Sequence, residues 1–454
     1  MSQATASGRL VDGTAWRAIV PEEWGGVVIS DADLTDSVSH TAFDEWCLRE
    51  GMAIVRTSRE PAAWQVDRML SNRHEVHELF TKRFGTPKTV VATGESLGGM
   101  VSRAIAERDE GLADAAIAMN GGGSGTIGLW NAKQDAAFAV RVLIAKRDGA
   151  DRDGADRDGC GLVESLAAAE SSPAGRARAT LAAALAMQPT WSDPDTARPA
   201  HDDLLAQAAV MRSSLGFGLA PGIRAEVERL AGGVFAGNED VEYADLGCRL
   251  GRRRAVVDAA YERAGISLEA DLASLDAAPR IVTDPAAVRW AERGAWSGDL
   301  LMPLVTVYAI GDPAAVPEEE GAYQRTVERG GSSERLDELY LDAAGHCRFT
   351  IGERAVAVER AIQHIEGVDI AGQHGDSKHS DSKHSAGKHS AARATPAELN
   401  ARAALIDAQH TTQPSDAADR PAQRHAAFVE FEPEPYLRPH DLWDAVAAPT
   451  GLDA

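Results

Sequence analysis

Three observations predict an α/β fold with a mostly parallel central sheet and a large helical insertion. Short apolar runs alternate with amphipathic ones in the first third of the chain. Ala-, Leu- and Arg-rich helical stretches replace them from about residue 130 to 297, and strand character returns at Leu301. In order, "GGVVIS" and "GMAIVRTS" read as strands, "WQVDRMLSNRHEVHELFTKRFG" as a helix, "KTVVATG" as a strand followed by a helix, and "ADAAIAMN" as a strand. The insertion, with "AVRVLIAKR", "HDDLLAQAAVMRSSL" and "RAVVDAAYERAGISLEADLASL", has hardly a strand-like run. Strands resume at "LMPLVTVYAIGD" and "LDELYLDAAGH", followed by the helix "GERAVAVERAIQHIEG". The expected organisation is a core over residues 1–129 and 298–368, the insertion over 130–297, a linker over 369–394 and a partly docked tail over 395–454.

The 454 residues, 44% of them hydrophobic, suffice for a sizeable core. Lys and Arg number 46 against 69 Asp and Glu, a balance of −23 that repels phosphates and anionic lipid, so neither nucleic acid nor membrane is an expected partner. No basic segment followed by an apolar core opens the chain, and no run of about 18 apolar residues occurs, which predicts a cytoplasmic protein. Oligomeric state is left open between monomer and homodimer. Cys47, Cys160, Cys248 and Cys347 form no CxxC pair and read as free thiols.

Gly94-Glu95-Ser96-Leu97-Gly98 fits G-x-S-x-G, with a β-branched strand before it and a small-residue helix after it. Such a turn presents the serine hydroxyl at the carboxyl end of the sheet, and the helix start aims backbone N–H groups at the same place. A serine needs a base, and the base an orienting carboxylate. Asp312 follows the strand "VTVYAIG", and His346 stands in the small-residue loop "AAGHCRFT" 34 positions later, giving the order Ser96, Asp312, His346. Asp342, four residues before His346, competes with Asp312 but would have to fold back along its own loop.

These residues resemble the α/β-hydrolase superfamily, and look most similar to bacterial serine esterases with a helical cap. The resemblance rests on "GESLGG", "GDPAAVP" and "GHCRFT", with support from "IVPEEWGGVVIS", "KRFGTP", "LWNAKQDAAFAV" and "FVEFEPEPYLRP". It implies Ser96 as nucleophile, His346 as base then acid, and Asp312 as the residue orienting the histidine. It also implies backbone N–H groups of Leu97 and of Asp31 or Ala32 as oxyanion donors. Family members often carry His-Gly where this chain has Asp31-Ala32-Asp33, and a carboxylate there disfavours an oxyanion unless turned away. The implied activity is cofactor-independent cleavage of an ester or lactone of an apolar small molecule. Hydrolysis of an amide or of a small or cyclic peptide, and acyl transfer by the same triad, are the runners-up; a non-catalytic binding protein is the contrasting class.

Other features carry less. Glu95 and Trp130 are candidate substrate contacts, Glu95 by adjacency to the nucleophile and Trp130, with Trp191, Trp290 and Trp296, as aromatic residues at or inside the insertion. "GGGSGTIG" contains G-x-G-x-x-G through Gly123, Gly125 and Gly128, with Asp148 twenty positions on, but it follows the elbow rather than opening the first strand-helix unit, and reads as a flexible loop. "RDGADRDGADRDG" lacks the closing glutamate of a calcium loop, and the "SKHS" repeat holding His374, His379, His384 and His389 reads as a solvated linker. No metal site is expected.

Overall fold

The computed structural model describes residues 3–32, 40–109, 111–145, 160–367, 394–410 and 425–438. The Asp-rich repeat, Asp148 within it, and the "SKHS" repeat lie outside the described residues, as does Asp33.

Among the described residues, nine strands form one sheet: β1 (Gln3–Arg9), β2 (Ala15–Pro21), β3 (Val27–Ala32), β4 (Ala53–Thr57), β5 (Thr89–Glu95), β6 (Ala115–Met119), β7 (Leu304–Gly311), β8 (Leu336–Ala344) and β9 (Phe428–Val429). Their spatial order is β1-β2-β4-β3-β5-β6-β7-β8-β9. Strands β4 through β8 pair in parallel, while β1, β2 and β9 join antiparallel. The hairpin of β1 and β2 has no counterpart among the strands predicted from sequence. Every residue of β1 but one is exposed, so it carries no apolar alternation to betray it.

Helices α1 (Ala42–Arg49), α2 (Val66–Phe84) and α3 (Leu97–Arg108) follow β3, β4 and β5. The insertion between β6 and β7 supplies α4 (Gly125–Leu143), α5 (Cys160–Ala169), α6 (Pro173–Leu185), α7 (Leu204–Leu219), α8 (Pro221–Ala231), α9 (Tyr243–Cys248), α10 (Arg253–Ala264), α11 (Leu268–Ala277) and α12 (Pro285–Ala291). After β7 come α13 (Pro317–Gly330), α14 (Ile351–Glu366) and α15 (Pro396–His410). Because α4 begins at Gly125, the expected boundary at residue 130 falls inside a helix. Among the described residues, no helix is long and apolar enough to cross a membrane.

The sheet buries both faces, as parallel strands require. One face packs Ile29, Ile54, Ile117, Val305 and Leu341 against α1, α14 and α15, and the other packs Ala92, Ala116 and Leu304 against α3 and α13. The insertion has its own core, built from α4, α6, α7, α10 and α11.

Two features lock insertion and sheet together. The first turn of α13 carries three consecutive buried glutamates. Glu318 pairs with Arg253 of α10 at 2.6 Å, Glu320 pairs with Arg103 of α3, and Glu319 faces Lys133 of α4. The second is the tail. Phe428 and Val429 extend the sheet at β8, and the chain then crosses to the insertion. There Glu434 meets Arg252 at 2.8 Å, Tyr436 donates to the Gly128 carbonyl at 2.5 Å, and Arg438 reaches Asp135 at 3.2 Å. Tyr436 and Leu437 are members of the insertion's apolar core.

Candidate active site

Strand β5 ends at Glu95 and α3 starts at Leu97, so Ser96 alone makes the turn, with φ 52° and ψ −116°. That left-handed backbone is unfavourable for a residue with a Cβ and persists only where the surroundings enforce it. Here the enforcement is steric. A Cβ at Gly94 would lie 2.4 Å from the Gly98 carbonyl, one at Gly98 would lie 2.5 Å from the Ala32 carbonyl, and one at Gly99 would lie 2.8 Å from the Gly121 Cα. Each glycine of "GESLGG" is therefore a point where two backbones touch. The Ser96 side chain makes no hydrogen bond capping α3, which leaves Oγ available, while the Ser96 N–H donates to the Met119 carbonyl at 2.9 Å. Leu97 is the first helical residue, so its N–H has no carbonyl one turn back.

Asp312 sits one residue beyond β7 and is fully buried. Its Oδ1 accepts from the N–H groups of Ala314 at 2.7 Å and Ala315 at 3.0 Å, and its Oδ2 meets His346 Nδ1 at 2.7 Å. That contact fixes the imidazole and leaves Nε2 free. The loop holding His346 is tied to the elbow on its far side, since the Cys347 thiol hydrogen-bonds Glu95, the residue before Ser96. Serine, histidine and aspartate are thus brought to one edge of the sheet. Asp342 pairs with Arg198 at 2.8 Å, with both side chains nearly half exposed, and does not join them.

The remaining predicted residues fare differently. Glu95 is buried against Arg354, 2.6 Å away; burial pushes its carboxyl up to about 7 while Arg354 pulls it down. Its side chain is thus buried beside the elbow and paired within the protein. Trp130 is 1% exposed, packed edge-on to Trp64 and Phe235, and is a core residue of the insertion rather than a pocket wall. Trp296 is likewise buried, donating to the Gly122 carbonyl at 3.0 Å.

Asp31 and Ala32 lie within β3, opposite Arg56 and Thr57 on one side and Thr93 and Gly94 on the other. The Asp31 carboxylate is held by Arg56 at 3.1 Å, and Arg56 in turn meets Asp44 at 3.0 Å, so the charge is neutralised within the protein. As an internal ladder residue Asp31 has its backbone engaged by the sheet, whereas Ala32 ends the strand against Gly98. The glycine-rich stretch after β6 is a packed turn, not a flexible loop. A Cβ at Gly123 would lie 2.4 Å from the Glu319 carbonyl, and Tyr308 donates to the Gly121 carbonyl, so these glycines admit backbone and not a dinucleotide. Among the described residues, no three His, Cys, Asp or Glu side chains converge as metal ligands.

Sequence reading missed two residues at the acid turn. Lys133 of α4 is buried, and its ammonium donates to the Ala314 carbonyl at 2.9 Å and to the Gly218 carbonyl of α7. Gln188 donates to the Pro313 carbonyl at 2.9 Å and accepts from the Ser214 hydroxyl at 2.9 Å. Burial drives the Lys133 ammonium down and the Glu319 carboxyl up, each opposed by the other's charge. A lysine in a helix and a glutamine in the loop after α6 carry no sequence signal that sets them apart from surface residues. Phe217 of α7, whose ring centre lies 6.2 Å from that of His346, was equally silent.

A mostly parallel sheet in this strand order, with a strained serine turn after β5, is the layout of the α/β-hydrolase fold. No family model matches the chain. It is 28% identical over 394 residues, 79% of its length and 86% of the relative's, to an o-phthalyl amidase of Xanthobacter agilis. Among solved structures it is similar to an esterase from Aspergillus oryzae at 13% identity and a TM-score of 0.40, over 80% of this chain and 79% of that one. It is also similar to a proline iminopeptidase of Mycobacterium smegmatis at 13% identity and a TM-score of 0.37, over 80% and 99%.

Proposed function

We propose that the protein is a cofactor-independent serine hydrolase cleaving a carboxylic ester or amide of a small apolar molecule through an acyl-enzyme. The observation carrying this reading is the His346–Asp312 pair at 2.7 Å, set at the same sheet edge as Ser96 in its strained turn. Ser96 Oγ attacks the carbonyl as His346 Nε2 removes its proton. Asp312 holds the imidazole by its Nδ1–H and stabilises the imidazolium. The Leu97 N–H meets the developing oxyanion, with a second donor from Ala32 or the residues after it. His346 then hands its proton to the departing oxygen or nitrogen, and water, deprotonated by the same nitrogen, releases the acid. The helical insertion serves as a cap that limits water at the site.

The amidase relative, matched over most of both chains, favours the amide arm alongside the ester one. Treatment with a fluorophosphonate probe, peptide mapping, and turnover of a panel of esters, lactones and anilides tests the reading. Labelling of Ser96 with turnover is expected, and Ser96→Ala and His346→Ala each lose on the order of 10⁴- to 10⁶-fold in kcat. Full activity in a folded Ser96→Ala protein refutes the mechanism.

A further inference from the structure

Seven large hydrophobic side chains among the described residues are exposed, and Phe217 is the one aromatic residue in that group, at 59%. It stands in the last turn of α7, where Leu215, Gly218 and Leu219 are buried, so the ring alone leaves the packed surface. Fraying does not account for this. The Gly218 carbonyl accepts from buried Lys133, whose ammonium also holds Ala314, and a Cβ at Gly218 would lie 2.5 Å from both Gln188 and the Pro313 carbonyl. The backbone next to Phe217 is therefore pinned to the turn that carries Asp312. Its ring meets the imidazole at 6.2 Å and 60°. The space beside it is open, for a Cβ at Gly216 would touch nothing within 4 Å.

An aromatic ring left in water forgoes burial, which a bound apolar group recovers. The identity of that group follows from proton transfer. On that reading His346 protonates the leaving atom, so whatever that atom carries departs from beside the imidazole, and Phe217 is the aromatic ring that meets this imidazole.

We propose, on the serine-hydrolase reading above, that Phe217 is the specificity-determining wall of the leaving-group side of the site, selecting substrates whose alcohol or amine is flat and aromatic. The test compares the benzyl and methyl esters of one acid, then the methyl esters of benzoic and acetic acid, with wild type, Phe217→Ala and Phe217→Trp. Because the side chain is exposed, the melting temperatures should agree. In Phe217→Ala the benzyl-to-methyl preference in kcat/KM should fall about 10-fold, mostly through KM, and Phe217→Trp should restore it. An unchanged preference overturns the proposal. So does a change confined to the benzoate-to-acetate comparison, which would move the ring to the acyl side. Failure of the wild type to turn over any ester or to be labelled at Ser96 defeats the hydrolase reading and this proposal with it; an active wild type with an indifferent Phe217→Ala defeats this proposal alone.

Discussion

The turn after β5 and the turn after β7 deliver side chains to the same edge of the sheet, but they are held by opposite means. At the elbow, backbone touches backbone through Gly94, Gly98 and Gly99. At the acid turn, carbonyls of Pro313 and Ala314 are gripped by Gln188 and Lys133, which lie 125 and 181 positions earlier in the chain. Shape is thus specified at the elbow by omitted atoms, and at the turn after β7 by omitted atoms at Gly311 and Gly218 together with placed polar ones. The first admits no substitute, whereas the second should weaken by degrees.

That contrast is sharpened first at the acid itself. Asp312→Asn should lower kcat by about 10⁴-fold through the wrong histidine tautomer, while Asp342→Asn, which breaks only a surface pair with Arg198, stays within a few-fold. Steady-state kinetics on both variants decide it, and a reversed order would relocate the acid. Next in size, Gly98→Ala pushes a methyl onto the Ala32 carbonyl and should cost about 3 kcal/mol or more, with labelling of Ser96 slowed. Gly222→Ala, in helix α8 with nothing within 4 Å, serves as the control and should leave the denaturation midpoint unchanged or raised. Smallest, Lys133→Met should cost about 1–3 kcal/mol and slow turnover roughly 10-fold, because two carbonyls and Glu319 lose their partner. A Lys133→Met loss as large as that of Gly98→Ala would erase the distinction between the two turns.

The same contrast explains what could be read without coordinates. The serine turn at Ser96 and the placing of Asp312 and His346 after β7 and β8 were legible because chain order, strand character and the glycine pattern are local, and β3 through β8 announced themselves by apolar runs. For Glu95 and Trp130, adjacency and residue type say nothing about which way a side chain turns: Glu95 turns to Arg354, and Trp130 into the insertion. Lys133, Gln188 and Phe217 were invisible for a related reason. Their roles arise from convergence of segments far apart in sequence, and a helix carrying one buried lysine has the same pattern as one carrying a solvated lysine. The glycines from Gly121 to Gly125 misled in the reverse sense, because crowding by Gly99 and Glu319 demands the same residue that flexibility does.

The crossing of the tail from β9 to the insertion also bears on the order in which the molecule can be assembled during synthesis. Tyr436 bonds Gly128 across 308 positions and lies in one apolar cluster with residues of α4, α6 and α10. The helices of the insertion emerge from the ribosome with a gap in their core and wait, on the order of ten seconds at ordinary elongation rates, for the segment that fills it. Until Tyr436 and Leu437 arrive, apolar surface stays exposed on a partly folded chain, so this stretch should be the period in which the protein most depends on chaperones, well after its nucleophile turn has been translated.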